Sequence, residues 1–286
     1  MSSSRVSAWP RTAFLTGASG GLGQAFAAML LADGVQVWGT ARRPERLAGL
    51  AEAFPGRFHP VALDLSDPAG AESAFHAAAR EAGGTFDLVI NNAGFGVFGD
   101  FAATDFAVWR AQIDAMLTTT LRLAHAALRG FRARTDGPPR GCLVNVASLA
   151  VEFPLPCMTG YNVAKAGLAA ASESFVVETR GTGITVIDFR PGDYRTDFNR
   201  AMQTLSPGGL VSDARLLRIW SVLEKNLRSA PPPSRAAADL RRALRRGRSG
   251  LVRSGSFFQA RLAPLFARLA PVPLRRAVAG LYFGIR

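Results

Sequence analysis

Lysine is almost absent from this 286-residue chain, which contains 32 arginines and only two lysines, Lys165 and Lys225. Cysteine is equally scarce, and Cys142 and Cys157 form neither a metal-ligand spacing nor a disulfide framework. Because structural disulfides belong to oxidising compartments, this cysteine usage favours a reducing one, and we expect a cytoplasmic protein.

Histidines and long apolar runs are also in short supply. His59, His76 and His125 are scattered along the chain, which argues against a metal site. No run of about 18 apolar residues occurs, so the sequence predicts no membrane-spanning helix. Residues 1–10 lack the apolar segment of a secretory signal, and we expect none there.

The net charge of +13 is concentrated toward the carboxyl terminus. From Leu240 to Arg286 there are eleven arginines and no acidic residue, whereas the remaining 239 residues hold 23 basic and 21 acidic side chains. The basic character therefore belongs to this tail. Nucleic-acid binding is disfavoured, because the tail lacks aromatics interleaved along a groove and any recognition motif.

Short apolar runs alternate with Ala- and Leu-rich helical segments through most of the chain. The predicted strands are 11–16, 35–40, 58–63, 86–90, 142–146 and 184–189, and the predicted helices include 22–32, 44–53, 68–82 and 109–131. Such alternation gives right-handed crossovers and a parallel sheet with helices on both faces. The sequence thus predicts an α/β fold with a doubly wound parallel sheet, whose ligands bind beyond the carboxyl ends of the strands.

A glycine-rich turn, GASGGLG, lies between the first strand and the first helix. Gly17, Gly21 and Gly23 allow a tight turn and a close approach of the backbone to a diphosphate, which the helix N-terminus then faces. In this strand–turn–helix context, dinucleotide binding is favoured over a plain loop.

The second strand ends at Ala41-Arg42-Arg43. In nucleotide-binding folds an acid here binds the ribose 2′-hydroxyl, whereas an arginine accommodates a 2′-phosphate. Arg42 therefore predicts NADP(H) in preference to NAD(H). The alternative is that Arg42 and Arg43 only begin a solvated turn. The third strand ends at Asp64, a position suited to the adenine ring.

The stretch from Asn145 to Lys165 carries the strongest chemical signal. Ser148 follows an apolar strand, Tyr161 comes thirteen residues later, and Lys165 lies one helical turn beyond Tyr161. A neighbouring ammonium favours the phenolate, so we expect Lys165 to lower the pKa of Tyr161 toward working pH. Tyr161 is then the predicted general acid–base, with the Ser148 hydroxyl hydrogen-bonding the same substrate oxygen. The alternative is a buried tyrosine beside a surface lysine.

Taken in order, TGASGGLG, Asp64, NNAG at 91–94, the Ser148–Tyr161–Lys165 set and Pro191–Thr196 resemble the short-chain dehydrogenase/reductase family over roughly residues 11–200. The resemblance implies a single Rossmann-like domain, a nicotinamide dinucleotide, and hydride transfer between the nicotinamide and a carbonyl or alcohol carbon. It implies that Tyr161 is the acid–base, that Lys165 binds the nicotinamide ribose and tunes Tyr161, and that Ser148 orients the substrate oxygen. The cofactor-binding residues implied are Gly17, Ser19, Gly21, Leu22, Gly23, Arg42, Asp64, Leu65, Asn91, Ala93, Gly94, Tyr161, Lys165, Pro191, Gly192 and Thr196. A homo-oligomer, dimer or tetramer, is expected.

One position departs from the family pattern. Many members carry an asparagine in the long helix after NNAG, and this asparagine is thought to hold a water of the proton relay. The chain has Met116 there. The departure puts that relay in doubt and leaves the Ser148–Tyr161–Lys165 set intact, with Asp114 or Thr118 as candidate substitutes.

The chain also continues past the usual end of the family. We expect an N-terminal segment (1–10), the NADP(H)-binding core (11–200), a substrate loop, helices and last strand (201–255), and a basic amphipathic extension (256–286), which we call the C-terminal extension. The C-terminal extension resembles those of members acting on steroids, retinoids and other lipids. Pro264, Pro271 and Pro273 should break it into short pieces. It is expected to act as a cap or lid on the body, or alternatively as a patch on an anionic membrane.

The residues after NNAG and those between Ser148 and Tyr161 are largely apolar. For each one, the alternative to a place in the pocket wall is packing in the core or in a subunit interface. As a set they favour a lipophilic substrate. The predicted function is an NADPH-dependent reductase of a sterol-like or polycyclic ketone or of a long-chain acyl ketone. The alternative is a non-catalytic dinucleotide-binding regulator of the same fold. The predicted pocket walls are Phe95, Val97, Phe98, Phe101, Leu149, Val151, Phe153, Leu155 and Met158.

Overall fold

A computed structural model of the protein describes residues 9–137, 140–198, 202–205 and 213–285. Its strands, in chain order, are β1 (Thr12–Leu15), β2 (Gln36–Ala41), β3 (Phe58–Ala62), β4 (Leu88–Asn91), β5 (Val97–Gly99), β6 (Gly141–Val146), β7 (Ile184–Pro191), β8 (Gln203–Leu205) and β9 (Gly250–Ser254). Seven of these form one parallel sheet in the order β3-β2-β1-β4-β6-β7-β9. The order reverses between β1 and β4, which is where doubly wound sheets bind their ligands.

The α-helices are α1 (Gly21–Ala32), α2 (Ala48–Ala53), α3 (Pro68–Glu81), α4 (Phe106–Ile113), α5 (Thr120–Arg132), α6 (Thr159–Glu178), α7 (Ala214–Ser229), α8 (Pro233–Arg246), α9 (Ala263–Leu269) and α10 (Val272–Phe283). Helices α1 and α8 cover one face of the sheet, and α3, α5 and α6 cover the other. The predicted α/β class with a doubly wound parallel sheet is confirmed.

Successive residues of β1 point to opposite faces of the sheet and pack in two different hydrophobic cores. Phe14 belongs to the core under α3 and α5, where its ring meets Phe75 edge-on with centroids 4.9 Å apart. Leu15 points to the opposite face and packs in the core under α1 and α8. Both residues are fully buried. A central parallel strand is buried on both faces, which explains why β1 reads as a continuous apolar run.

The predicted long helix over 109–131 is interrupted. The chain forms α4, then a π-helical stretch from Asp114 to Thr119, and then α5. Met116 lies inside this stretch. π-Helical insertions cluster at functional sites, because the extra residue shifts the face that a side chain occupies.

Two short strands were not predicted. β5 pairs in parallel with β8, so Val97 lies opposite residue 203 outside the main sheet. The predicted loop after Thr196 therefore contains β8, and the rest of that loop (199–201 and 206–212) lies outside the described residues. Residues 1–8 of the predicted N-terminal segment and Arg286 also lie outside them.

The C-terminal extension is more continuous than its prolines predicted. A π-helical segment from Phe258 to Leu262 runs directly into α9, where Pro264 occupies the first turn. Pro264 has no N–H to donate at this point of the continuous helix, and the turn before it is π-helical. Ala270 and Pro271 separate α9 from α10, and Pro273 lies in the first turn of α10. Within the described residues, none of the helices has the length and apolar character needed to cross a membrane.

Candidate active site

The glycine turn brings two backbone segments into close contact. A Cβ on Gly23 would lie 2.0 Å from the carbonyl oxygen of Gly17, and Gly17 itself has φ +71°. A side chain at position 23 would therefore force the turn apart, and position 17 has a left-handed backbone that favours glycine. These requirements keep the turn tight against the start of α1.

The N-terminus of α1 suits an anion. Gly20 caps the helix without any side-chain hydrogen bond, and the first turn contains no acidic residue. The first N–H groups of a helix lack intrahelical partners and carry the positive end of its dipole. The cradle therefore fits a diphosphate, as predicted from the sequence for this turn.

Thr16 fixes the NNAG segment beside the glycine turn. Its hydroxyl accepts hydrogen bonds from the backbone N–H groups of Asn92 and Ala93, both at 2.9 Å. The Asn92 side chain donates to the Thr16 carbonyl oxygen at 2.9 Å. The predicted Ala93 consequently packs on the turn, where a Cβ on Gly17 would lie 2.9 Å from the Ala93 Cα atom.

Ser148, Tyr161 and Lys165 meet at the carboxyl end of β6. Lys165 is 5% exposed, donates a hydrogen bond to the Val146 carbonyl oxygen at 2.6 Å, and lies with its Nζ atom 5.9 Å from the centroid of the Tyr161 ring. Ser148 is buried and its Oγ atom accepts from the backbone N–H of Ala150 at 3.1 Å. One face of α6 thus carries both Tyr161 and Lys165, as their spacing predicted.

The pKa of Tyr161 differs from the prediction. Burial raises it, the hydrogen bond with Ser148 acts in the opposite direction, and the charge of Asp193 raises it further. The expected lowering by Lys165 was wrong for this arrangement. Burial also lowers the pKa of Lys165, to about 8, while the Asp188 carboxylate acts against that lowering. Lys165 is buried and Tyr161 is partly buried, and removal from water disfavours the charged form of each.

The Pro191–Thr196 segment closes the site from the other side. The backbone N–H of Gly192 donates to the Ser254 carbonyl oxygen at 2.7 Å, which joins β7 to β9 at this point. Thr196 reaches the glycine turn, since a Cβ on Gly21 would lie 3.5 Å from Thr196 side-chain carbons. The turn, the NNAG segment, the Ser148–Tyr161–Lys165 set and this segment therefore surround one edge of the sheet.

The family model of the short chain dehydrogenases matches residues 11–205. The chain belongs to the short-chain dehydrogenase/reductase family. It is 32% identical over 189 residues to serine 3-dehydrogenase of Agrobacterium fabrum (strain C58), across 65% of this chain and 73% of that protein. It is 34% identical over 188 residues to sulfoacetaldehyde reductase of Chromohalobacter salexigens, across 65% of this chain and 73% of that protein.

The crystal structure of a short-chain dehydrogenase from Streptomyces avermitilis is similar over 98% of both chains, with a TM-score of 0.78 and 25% identity. Since this match covers nearly the whole chain, it includes most of the C-terminal extension. As a short-chain dehydrogenase/reductase, the protein is an oxidoreductase of alcohol and carbonyl groups of small molecules and binds a nicotinamide dinucleotide.

Met116 occupies the position of the family asparagine next to the lysine of this dehydrogenase/reductase. A Cβ on Gly94 would lie 3.1 Å from the Met116 methyl carbon and 3.7 Å from the Lys165 ammonium nitrogen. Met116 is buried, at 1% exposure. The Met116 methyl group and the Lys165 ammonium therefore both lie beside Gly94.

A buried polar network behind the site was not predicted. Asn91 donates to the Asn145 side chain at 2.9 Å, and Asn145 donates to the Ser172 hydroxyl on α6 at 2.9 Å. Asp188, opposite Asn145 in the β6–β7 register, pairs with Arg190 at 2.6 Å. The polar residues in these strands were the available signal, because a buried strand otherwise consists of apolar side chains. Asn91 was predicted to lie on the ribose side, and its side chain belongs to this network.

A cavity of about 380 Å³ lies at the carboxyl end of β2 and is lined by Ser19, Ala41, Arg42, Arg43 and Arg46. The three arginines are exposed. None of them forms a salt bridge with a described residue. Ser19 and Arg42 were predicted from the sequence as cofactor-binding residues, whereas Arg46, one helical turn beyond Arg42, was not predicted.

Asp64 and Leu65 lie just after β3, which ends at Ala62, one residue earlier than the predicted strand 58–63. The Asp64 carboxylate accepts a hydrogen bond from the Ser66 backbone N–H at 2.9 Å and is exposed. The Leu65 carbonyl oxygen accepts from the Thr119 hydroxyl at 2.9 Å, which links this edge to the π-helical stretch. Leu22, in the first turn of α1, is partly buried against the core.

Two further residues shape the loop between Ser148 and Tyr161. The Asn162 side chain donates to the Leu155 carbonyl oxygen at 2.7 Å and accepts from the Leu155 backbone N–H at 3.1 Å. Cys157 has φ +62°, and its carbonyl oxygen accepts from the Gly99 backbone N–H at 2.9 Å. Left-handed backbone is costly for a residue with a Cβ, so this loop is held by its neighbours.

The predicted pocket walls separate into different environments. Val97 and Phe98 are fully buried, and Phe98 packs with Met158 and against the Trp220 ring at 5.2 Å. Phe101 is 49% exposed and stacks on Trp109. Leu149, Val151, Phe153 and Leu155 are partly buried, and Phe95 packs at the margin of the core under α3 and α5. The alternative of core packing therefore holds for Val97 and Phe98.

Proposed function

We propose that the protein is an NADPH-dependent reductase of a lipophilic ketone, either sterol-like or polycyclic, or a long-chain acyl ketone. The observation that carries the proposal is the set of partly exposed apolar side chains around Tyr161. Leu155, Phe198 and Trp220 are partly buried and, like Tyr161, pack on the buried apolar cluster that contains Phe98 and Met158. The Tyr161 ring meets Phe198 edge-on with centroids 5.8 Å apart. An apolar body with few polar groups is the usual design of a site for a lipophilic ligand.

The preference for NADPH is supported by the arginine-lined cavity. A guanidinium binds phosphate oxygens through paired hydrogen bonds. NADPH carries a 2′-phosphate that can accept these bonds, whereas NADH lacks it. Arg42, Arg43 and Arg46 border this cavity together with Ser19. The position at the end of β2 matches the place where such folds bind the 2′-hydroxyl or 2′-phosphate of the adenosine ribose.

The chain's own residues fit the roles of acid and positioning groups. The cofactor supplies a hydride to the carbonyl carbon when it is bound. The Tyr161 hydroxyl then delivers its proton to the carbonyl oxygen, so that the product is an alcohol. Its raised pKa keeps the phenol protonated at neutral pH, as reduction requires. Ser148, which shares a hydrogen bond with Tyr161, orients the same oxygen.

We also propose peripheral contact with an anionic membrane through the C-terminal extension. Phe257, Phe258, Leu265, Leu269 and Leu281 are exposed there. No acidic residue occurs between Leu240 and Arg286. An apolar surface bordered by arginines matches the chemistry of an interfacial segment on anionic lipid.

Oxidation of NADPH with a panel of ketones tests the enzymatic proposal. The panel contains bicyclic and long-chain acyl ketones, with sulfoacetaldehyde as the small polar comparison. We expect the apolar ketones to have the highest kcat/KM, and Tyr161→Phe to remove the activity. Higher kcat/KM for sulfoacetaldehyde contradicts the substrate class. Tight NADPH binding without turnover of any member supports the regulatory alternative.

A further inference from the structure

Asp193 is an acidic residue at an unusual place in the site. It directly follows Pro191 and Gly192 at the end of β7 and is partly buried. Burial raises the pKa of its carboxyl group. Its negative charge raises the pKa of two phenols, those of Tyr161 and of Tyr282 on α10. The carboxylate therefore acts on the candidate acid–base and on the C-terminal extension at once.

Gln259 of the C-terminal extension holds this carboxylate. Its side-chain amide donates to the Asp193 carboxylate at 2.6 Å and accepts from the Asp193 backbone N–H at 3.3 Å. The same side chain also covers Gly192, where a Cβ would lie 2.7 Å from the Gln259 Oε1 atom. The two partners are 66 positions apart in the chain. A two-point contact of this kind fixes the orientation of the carboxylate.

A second contact keeps the C-terminal extension over the same loops. The rings of Phe153 and Phe266 are parallel within 5°, with centroids 6.4 Å apart. Phe153 belongs to the loop between Ser148 and Tyr161, and Phe266 lies on α9. Gln259 is therefore seated by aromatic packing nearby as well as by its own hydrogen bonds.

Among the described residues, no arginine, lysine or histidine side chain forms a salt bridge with the Asp193 carboxylate. A carboxylate offers about four acceptor positions, and the Gln259 amide uses one of them. An enclosed carboxylate without a cation is costly unless other donors satisfy it. Within the part of the chain that the structure describes, the Gln259 amide is the one side chain that donates a hydrogen bond to this carboxylate.

We propose that Asp193 is a specificity-determining residue, whose free acceptor positions bind a hydroxyl or ammonium group carried by the ketone substrate, with Gln259 as its positioning residue. The inference rests on the proposed function, because it adds a polar anchor to a lipophilic ketone. It predicts a substrate with an apolar body and one hydrogen-bond donor away from the reacting carbonyl.

Three bicyclic ketones of one skeleton test the inference. They carry, on the ring remote from the carbonyl, an ammonium, a hydroxyl or a methoxy group, of which the methoxy group only accepts hydrogen bonds. We expect the wild type to prefer the ammonium or the hydroxyl ketone to the methoxy ketone about tenfold or more in kcat/KM. The ketone that the wild type prefers, with an ammonium or with a hydroxyl group, identifies the donor that Asp193 binds.

In Asp193→Asn, this preference should fall about tenfold, since the charge-assisted bond is lost. Gln259→Leu should reduce the preference through the KM of the donor-bearing ketone, with a smaller effect on kcat. Glu224→Gln, which removes a charge on α7, is the matched control and should keep the wild-type preference. Unfolding temperatures of all variants establish that they fold.

An equal loss with all three ketones in Asp193→Asn overturns the inference, as does a wild type without preference. If no ketone is reduced, the proposed function fails separately. Calorimetric Kd values of the same three compounds, with NADPH present, then test Asp193 alone. A donor preference in Kd that survives Asp193→Asn also overturns it.

Discussion

The Lys165 ammonium donates its hydrogen bond to the Val146 carbonyl oxygen at 2.6 Å, two residues before Ser148 in the chain. This bond ties α6 to the end of β6 and so fixes the helix that carries Tyr161. It also explains why a lysine is present in a chain that otherwise uses arginine. An ammonium is compact enough to lie against a buried carbonyl, whereas a guanidinium presents a wide planar fork.

Tyr161→Phe should lower kcat at least about a hundredfold, because the ring remains and the proton donor is lost. The Kd of NADPH should stay close to the wild-type value. Steady-state kinetics and fluorescence titration measure the two quantities. A variant that keeps more than about a tenth of the wild-type kcat contradicts the assignment of Tyr161 as acid–base.

Arg42→Ala should weaken NADPH binding about tenfold or more relative to NADH binding, since only NADPH carries the 2′-phosphate. Arg43 and Arg46, which line the same cavity, should retain part of the preference. Kd values of both cofactors for wild type and variant give the ratio. An equal change for NADPH and NADH identifies Arg42 as a solvated surface residue.

Lys165→Met should abolish activity and raise stability at neutral pH. Burial lowers the pKa of Lys165 from 10.5 to about 8, so between these values the unfolded chain binds more protons at this lysine than the folded chain. Stability therefore rises with pH in that window, and below about pH 8 the buried ammonium opposes folding by about 3 kcal/mol. Lys165→Met has no ammonium at this position, so this cost of folding is absent from the variant.

Denaturant unfolding at pH 7 and at pH 10.5 measures the difference between variant and wild type. We expect the advantage of Lys165→Met to be largest at pH 7 and to disappear near pH 10.5. Lys225→Met replaces the only other lysine, which is exposed on α7, and is the matched control. A constant difference across the pH range would show that the charge of Lys165 costs nothing on folding.

Gly23→Ala should lower the unfolding temperature and Gly20→Ala should not. A Cβ at position 23 meets the Gly17 carbonyl oxygen at 2.0 Å, whereas one at position 20 has no atom within 4 Å. We expect a loss of about 1–3 kcal/mol for Gly23→Ala and a change within about 0.5 kcal/mol for Gly20→Ala. Calorimetry of the two variants decides. Equal effects would mean that the turn tolerates side chains at both positions.

Contact with anionic membranes predicts co-sedimentation with phosphatidylserine vesicles that is lost in high salt, because exposed charges are screened over about 10 Å at 0.1 M. Leu269→Glu should abolish it. Val177→Glu is the control, since Val177 on α6 is 73% exposed and Leu269 is 72% exposed. If wild type stays in the supernatant at low salt, the C-terminal extension serves only as a cap.

The sheet and its turns were predictable from the sequence because they rest on local patterns. Strand periodicity, the glycine turn before α1 and the Tyr161–Lys165 spacing all act within a few residues of the chain. Alternation of strands and helices then limits the topology to a parallel sheet. This is why the bounds of β1 and α1 lie within a few residues of those predicted.

The parts that were missed depend on partners distant in the chain. The pairing of β5 with β8 joins residues about a hundred positions apart, and neither segment has the length of an ordinary strand. The Gln259–Asp193 contact joins the C-terminal extension to β7 without any motif. The direction of the Tyr161 pKa shift was also not predicted from the sequence, because it depends on burial against α7 and the end of α10 and on the charge of Asp193.

The position of β9 as the last strand has a consequence for synthesis of the chain. β9 covers the free edge of β7, yet it follows Pro191 by 63 residues, from 191 to 254. At ribosomal rates the edge of β7 remains unpaired for roughly 3–13 s, and an unpaired edge is a template for association with other chains. α8, which packs on α1 across that interval, emerges shortly before β9. The nascent protein therefore depends on its last fifth to complete a sheet begun at its first residues, and a chain stopped after the family-matched region would expose that edge permanently.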